Sequence, residues 1–299
     1  MLRSPPHPPV EVAYMAASTF RDRPRVGRAC RAFLTLSAAV TVALASAAVA
    51  GAGTIPVPSS SLSQAGALKF CSDISGPPGE FYGPGHVPQG VDIDVGSNIA
   101  QRLGLKPVWV NTAFSGIIPA LQAKHCDAII SELFIKPERK KIVDFVAYQT
   151  SGEELLVLKG NSAHITGLND SLCGKKVAAE TGTTVALYLQ GQDKKCKAAG
   201  KPGVTINLFL RDSDAFDQLL VKHVDAYGTT TDTAGYRTRT SKQFQVAGKP
   251  FGRILVGIAT NKGNKPLHEA IAQAFRAMKK DGTYAKIYAK WGLQLNMLK

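Results

Sequence analysis

The residues best placed for chemistry lie between Asp127 and Phe145, in the run DAIISELFIKPERKKIVDF. Ala128, Ile129 and Ile130 form a short apolar run that suits a strand covered on both faces, so its end at Ser131 opens onto a cleft. Pro137 disfavours one helix running through the turn and suits the first position of a new one, which puts Arg139 in that helix's first turn. A guanidinium there offers a planar pair of donors that matches a carboxylate. The alternative is that Arg139, with Lys140 and Lys141, belongs to a solvated basic face.

Positioning such a residue takes a sheet, and strand and helix alternate on both sides of this run. Leu68–Cys71 and Val108–Val110 read as strands. The stretch from Val91 leads into a helix ending near Gly104, and Phe114–Ala123 reads as another helix feeding the central strand. The order then repeats: strands at Leu155–Leu158, Lys175–Ala179, Val204–Leu208 and Val224–Tyr227, helices at Thr183–Gln190 and Asp212–Lys222. Two similar α/β halves with mostly parallel sheets are implied. The tail differs, being a long amphipathic helical region over Pro266–Trp291, broken at Asp281-Gly282, with Ile271, Phe275 and Met278 on one face.

A chain of 299 residues exceeds the usual size of a single core, which agrees with two lobes. Residues 1–50 read as a secretory signal: arginines at 21, 23, 25, 28 and 31, an Ala-rich apolar stretch from Ala32, and Ala48-Val49-Ala50 as a cleavage triplet. Met15 is a plausible true start, because the Pro-rich stretch before it resembles no part of a signal. No cysteine follows the apolar stretch closely, which speaks against lipid attachment and for a free periplasmic protein. The linker 51–66, rich in Gly, Pro and Ser, is expected to be disordered.

The formal net charge is +14, and removing the leader's six Lys/Arg and two Asp/Glu leaves +10. The lysines are scattered and no basic stripe is interleaved with aromatics, so nucleic acid is not an expected partner. No CxxC or HExxH spacing suggests a metal, and no cofactor is expected. Four cysteines remain, and an exported chain can oxidise them. Cys173 and Cys196 flank one strand-turn-helix unit and are expected to pair. Cys71 and Cys126 are expected as buried free thiols: if Asp73 and Ser131 both end adjacent strands, the two are offset by three residues. That is about 10 Å, beyond disulfide reach.

In this order the segments GVDIDVGSNIAQRLG, FSGIIPALQAKHCDAIIS, the Pro-Glu-Arg-Lys-Lys-Ile-Val-Asp-Phe run, LCGKKVAAETGTT and FRAMKKDGTYAKIYAKWGL resemble the family-3 solute-binding proteins that deliver polar amino acids to ABC importers. The resemblance spans Leu68 to Leu293. It implies a two-lobed periplasmic-binding-protein (Venus flytrap) fold of type II, with two mostly parallel sheets joined by a two-strand hinge. Lobe I would take residues 67–152 and 254–299, and lobe II residues 153–253. It further implies a monomer that closes over a small-molecule ligand and presents it to the importer's membrane subunits.

By the family pattern Arg139 clamps the ligand's α-carboxylate, and Thr183 and Thr184, opening a helix in the opposite lobe, face the same anion; ordinary N-capping is the other reading of that Gly-Thr-Thr. Ser131 would face the ligand's ammonium and Asp73 its side chain, unless Asp73 only stabilises a turn. Phe114 would stack on the ligand, or else pack in the core. The chain also departs from the pattern. Glu132 and Phe134 stand where small or hydroxyl residues are common, and Gly76 where an aromatic often forms a wall. Thr230 stands where an aspartate holds the ammonium, leaving Glu132 or Asp232 to supply that charge or the ligand to be something other than a standard α-amino acid. Glu132, Asp73 and Glu80 lean toward a cationic or amide side chain. The competing function is a periplasmic cyclohexadienyl dehydratase-like enzyme on the same scaffold, with Glu132 as its acid.

Overall fold

The computed structural model of the chain describes residues 54–299; the expected signal sequence, with Met15 and Ala48-Val49-Ala50, lies outside the described residues. The strands are β1 (Ala67–Ser72), β2 (Phe81–Tyr82), β3 (Pro88–Gln89), β4 (Lys106–Asn111), β5 (Ala128–Ile129), β6 (Val143–Leu158), β7 (Lys176–Glu180), β8 (Thr205–Phe209), β9 (Ala226–Thr230), β10 (Phe244–Val246) and β11 (Phe251–Asn261). The helices are α1 (Val91–Arg102), α2 (Ile117–Gln122), α3 (Pro137–Lys140), α4 (Thr184–Ala198), α5 (Asp212–Leu220), α6 (Thr231–Thr240), α7 (Lys265–Lys280) and α8 (Thr283–Trp291).

Two parallel sets, β4-β1-β5 and β9-β7-β8, are joined by β11 and β6 into one hydrogen-bonded path, β4-β1-β5-β11-β6-β9-β7-β8. The two joining strands are antiparallel to each other. β6 has 16 residues, roughly 50 Å at strand rise, which is long enough to run through both halves. It pairs with β11 from Val143 to Glu153, with the register broken between Ser151 and Glu153, and with β9 from Glu153 to Leu156, so the second sheet is taken up just past Gly152. The register of β11 is irregular between Phe251 and Ile254, opposite the same point.

Period-two alternation divides the core into four clusters, two to each half. Leu68, Phe70, Ala128 and Ile130 face α1, α7 and α8, while Cys71 and Ile129 face α2 on the other side. In the second half Leu155, Val157, Val177 and Ala179 face α4, and Leu156, Ala178 and Tyr227 face α5 and α6. Strands buried on both faces need this apolar character throughout. The tail breaks at Asp281-Gly282, where Gly282 takes φ +80, and Ile271, Phe275 and Met278 are buried in the first cluster.

Two expectations are corrected here. Residues 54–66 are not a loose linker: Ile55, Val57 and Leu62 pack on the first cluster, and Asp127 accepts from the Ser63 and Lys69 N–H groups at 2.6 and 2.8 Å. The Gly, Pro and Ser content obscured three aliphatic anchors. Cys71 and Cys126 are bonded, with Cα atoms 5.6 Å apart, rather than free. The three-residue offset is real, since Cys71 is level with Ile129, but β5 begins only at Ala128. Cys126 lies in the irregular segment between α2 and β5, so strand rise does not measure its distance. Cys173 and Cys196 are also bonded, with Cα atoms 5.5 Å apart.

Candidate functional site

Parallel strands deliver their carboxyl ends to one side of a sheet, and in open α/β sheets that is where ligands bind. Here the ends of the parallel strands in both halves face each other across one cavity. Past β1 come Asp73, Ser75 and Glu80; past β5 come Ser131 and Glu132. Glu180 ends β7, Asp212 follows β8, and Thr229 and Thr230 end β9.

Arg139 enters from the first turn of α3, with Pro137 at its start. Its Nη1 donates to the Phe134 carbonyl at 3.1 Å and its Nη2 to the Gly182 carbonyl of the other half at 3.3 Å. The guanidinium carbon lies 5.5 Å from the Phe114 ring centroid. Burial lowers the Arg139 pKa, opposed by the charges of Glu138 and Glu153, yet no carboxylate among the described residues forms a salt bridge with it. Thr183 caps α4, its hydroxyl accepting from the Ala186 N–H at 3.4 Å and donating to the Glu180 carbonyl at 2.6 Å. With Thr184 at N1, that 15-residue helix presents its positive end to the cavity.

Asp73 is largely consumed within the protein. Its carboxylate accepts from the Phe114 N–H at 2.7 Å, the Ser75 hydroxyl at 2.6 Å and Arg211 Nη1 at 3.0 Å. Its own N–H donates to Ser131 Oγ, which donates in turn to Glu80 Oε1 at 2.6 Å. Turn stabilisation and a place on the cavity wall therefore coincide in Asp73.

Glu132 takes a left-handed conformation, φ +42, and its N–H donates to Asp92 at 2.8 Å. Its side chain lies so close to Gly79 that a Cβ there would stand 2.9 Å from the Glu132 Cδ. Glu132 Oε2 accepts from the Thr230 hydroxyl at 3.3 Å, and Oε1 is buried without a partner. Burial first, then the charges of Asp232 and Asp92, push the Glu132 pKa well up. Glu80, raised by burial and by Asp92 and Glu132, leaves Oε2 unpartnered. Glu180, raised by burial and by Asp73 and Asp212, leaves Oε1 unpartnered.

The expected residues Asp73, Phe114, Ser131, Glu132, Phe134, Arg139, Thr183, Thr184 and Thr230 thus surround one cavity. Phe134 is only 3% exposed and belongs mainly to the core. Asp232 is placed differently from its expected position at the ligand: it is buried behind Glu132 and bound by Gln149, Thr231 and Asn296. The helix-capping geometry of Thr230 turns the chain there, so the residue two positions on points away from the cleft. Glu153, Glu180, Arg211 and Asp212 were missed. For Glu180, Arg211 and Asp212 the signal was position, at or just past the carboxyl end of a parallel strand; Glu153, inside β6, carried no such signal. A Cβ on Gly76 would lie 3.7 Å from Asp212 Oδ2, so a carboxylate stands beside the position where the family pattern often has an aromatic wall.

A family model described as bacterial extracellular solute-binding proteins, family 3, matches residues 68–294. The chain belongs to that family. Within it, the L-cystine-binding protein TcyJ of Escherichia coli (strain K12) is 30% identical over 234 residues, covering 78% of this chain and 85% of the relative. Among solved structures, an ancestral arginine-binding protein bound to arginine is 38% identical with a TM-score of 0.68, covering 76% of this chain and 98% of that one. An ancestral amino acid-binding protein, a precursor of cyclohexadienyl dehydratase, is 33% identical with a TM-score of 0.69, covering 76% and 95%. The two-lobed binding-protein fold of this family accounts for the paired sheets and the cavity between them.

Proposed function

We propose that this family-3 solute-binding protein captures a small amino acid or a related carboxylate between its lobes and delivers it to the membrane subunits of an ABC importer. The carrying observation is Arg139: a cation at the cavity whose hydrogen bonds among the described residues go to two carbonyl oxygens and to no carboxylate, with a helix N-terminus across from it. Two charge-assisted bonds from a guanidinium to the ligand's carboxylate would engage that free capacity. Lobe I comprises residues 67–152 and 254–299 and lobe II residues 153–253, hinged at Gly152 and at the irregular turn of β11 after Phe251. The protein acts as a free periplasmic monomer after removal of its leader, and without turnover. A raised Glu132 acid is the one feature favouring a dehydratase, and the neighbour on that lineage is itself described as an amino acid-binding protein.

Closure is driven by the ligand's differential affinity for the closed form. Contacts already bridging the lobes, Arg211 to Asp73 and Asn111, Asp212 N–H to Ser75 and Thr230 to Glu132, support reading this as a closed arrangement. Calorimetric titration of wild type and Arg139→Ala with an amino-acid panel tests the assignment. The substitution should weaken carboxylate ligands by about 100-fold or more. Unchanged affinity would remove Arg139 as the anchor.

A further inference from the structure

The cavity wall away from Arg139 is acidic to an unusual degree, and its acids are unfinished. Glu80, Glu132, Glu180 and Asp212 each present one buried carboxylate oxygen with no partner, and none makes a salt bridge among the described residues. Four such oxygens around one cavity are a set of acceptors awaiting donors, because a buried polar atom left unpaired is costly. After burial, the strongest influence on each glutamate is the charge of a nearby aspartate: Asp92 on Glu80, Asp232 on Glu132, Asp73 on Glu180. Neighbouring carboxyls away from water resist ionising together, which raises Glu80, Glu132 and Glu180 above their ordinary value. Among the described residues no group of His, Cys, Asp or Glu is arranged to hold a metal ion.

The geometry points to a cation subsite on this wall: Glu80, Glu132 and Glu180 receive a guanidinium or ammonium group at the far end of the ligand. A glutamate that is protonated when it engages this group first gives up its proton to solvent. The inference rests on the carboxylate anchoring proposed above and adds the class of side chain. The exchange balances: a neutral carboxyl releases H⁺ and becomes the carboxylate that pairs with the ligand's cation.

The facing groups leave the three glutamates without an ion pair among the described residues. On the lobe I side they are Asp73, Glu80, Asp92 and Glu132, with Tyr148 of β6 donating to Asp92 and Tyr288 of α8 behind it. On the lobe II side are Glu180, Asp212 with Tyr227, and Asp232, with Glu153 of β6 nearer to Arg139. Of the cations, Arg211 is engaged by Asp73 and Asn111 and also favours the charged form of Glu180, and Arg237, 3.7 Å from the Phe216 ring centroid with its Nε unpartnered, favours that of Asp212. Burial holds Asp92 at about 7 and Asp212 at about 6, which supports retention of protons in this cluster near neutrality.

The test is calorimetric titration of the protein with L-arginine and with L-citrulline, its neutral isostere, at pH 5 to 8 in buffers of differing ionisation enthalpy. Arginine binding should release at least one proton, and its affinity should rise about tenfold per pH unit for each proton released. Citrulline should bind at least about tenfold more weakly than arginine at pH 8 and change little with pH. Glu132→Gln, which keeps the shape beside Gly79 and Thr230, should release one proton fewer and weaken arginine about tenfold while leaving citrulline within about threefold. If this variant fails to fold, Glu180→Gln carries the same expectation. Arginine binding that is independent of pH and releases no proton overturns the proposal. Citrulline binding as tight as arginine, still dependent on Arg139, overturns the cation subsite while leaving the carboxylate anchor standing.

Discussion

The two ends of the cavity are built on opposite plans. At one end a single guanidinium is held by backbone carbonyls of Phe134 and Gly182, neutral acceptors that orient it without cancelling its charge. At the other, three glutamates lie near aspartates, and their charge is suppressed by burial and by these neighbours. The cationic end is ready for an anion at any ordinary pH. The acidic end becomes anionic only when something positive arrives. A zwitterion with a cationic side chain fits both ends, and its carboxylate and its far end should then differ in how pH affects their recognition.

The largest effect expected from breaking this contrast is at the arginine. Arg139→Ala should cost about 3 kcal/mol of binding for any carboxylate ligand, with no change in proton release, since the acidic end is untouched. Calorimetry in two buffers reads both quantities. Next comes the stability of the ligand-free protein. Glu80, Glu132 and Glu180 are raised above their ordinary value of 4.5, so between that value and their folded ones the native state binds more protons than the unfolded chain. Stability from this source is complete below about pH 4.5 and falls as pH rises. The melting temperature without ligand should therefore drop by roughly 5 °C from pH 5 to pH 8, and saturating arginine should reverse the drop. The smallest effect is at Thr230, whose hydroxyl caps α6 and donates to Glu132. Thr230→Val should lower stability by about 1 kcal/mol in denaturant titration and weaken arginine by about threefold.

The same contrast explains what could be read from sequence. Arg139 was legible because its context is local: an apolar strand, a turn and a proline that starts a helix lie within thirteen residues of it. Thr183 and Thr184 were legible for the same reason, as a Gly-Thr-Thr opening a helix. The acidic wall is assembled from the ends of β1, β5, β7 and β8, so no single window contains it, and Glu180 and Asp212 looked like ordinary residues at a strand end and a helix start. Asp232 shows the converse error, where closeness in sequence to Thr230 suggested a shared role that the turn into α6 prevents. Alternation and helix periodicity revealed the architecture, because burial on both sheet faces leaves a regular apolar imprint. The Cys71–Cys126 bond was lost to a strand drawn two residues too long.

The most direct test of the two-ended cleft is one calorimetric comparison: L-arginine against agmatine, which lacks the carboxylate, on wild type and on Arg139→Ala. Agmatine should bind wild type about 100-fold more weakly than arginine, and that gap should close to within about threefold in the variant, because the interaction removed from either side is the same one. A gap that persists undiminished in Arg139→Ala, or agmatine and arginine binding equally to wild type, would contradict the carboxylate anchor at the centre of this reading.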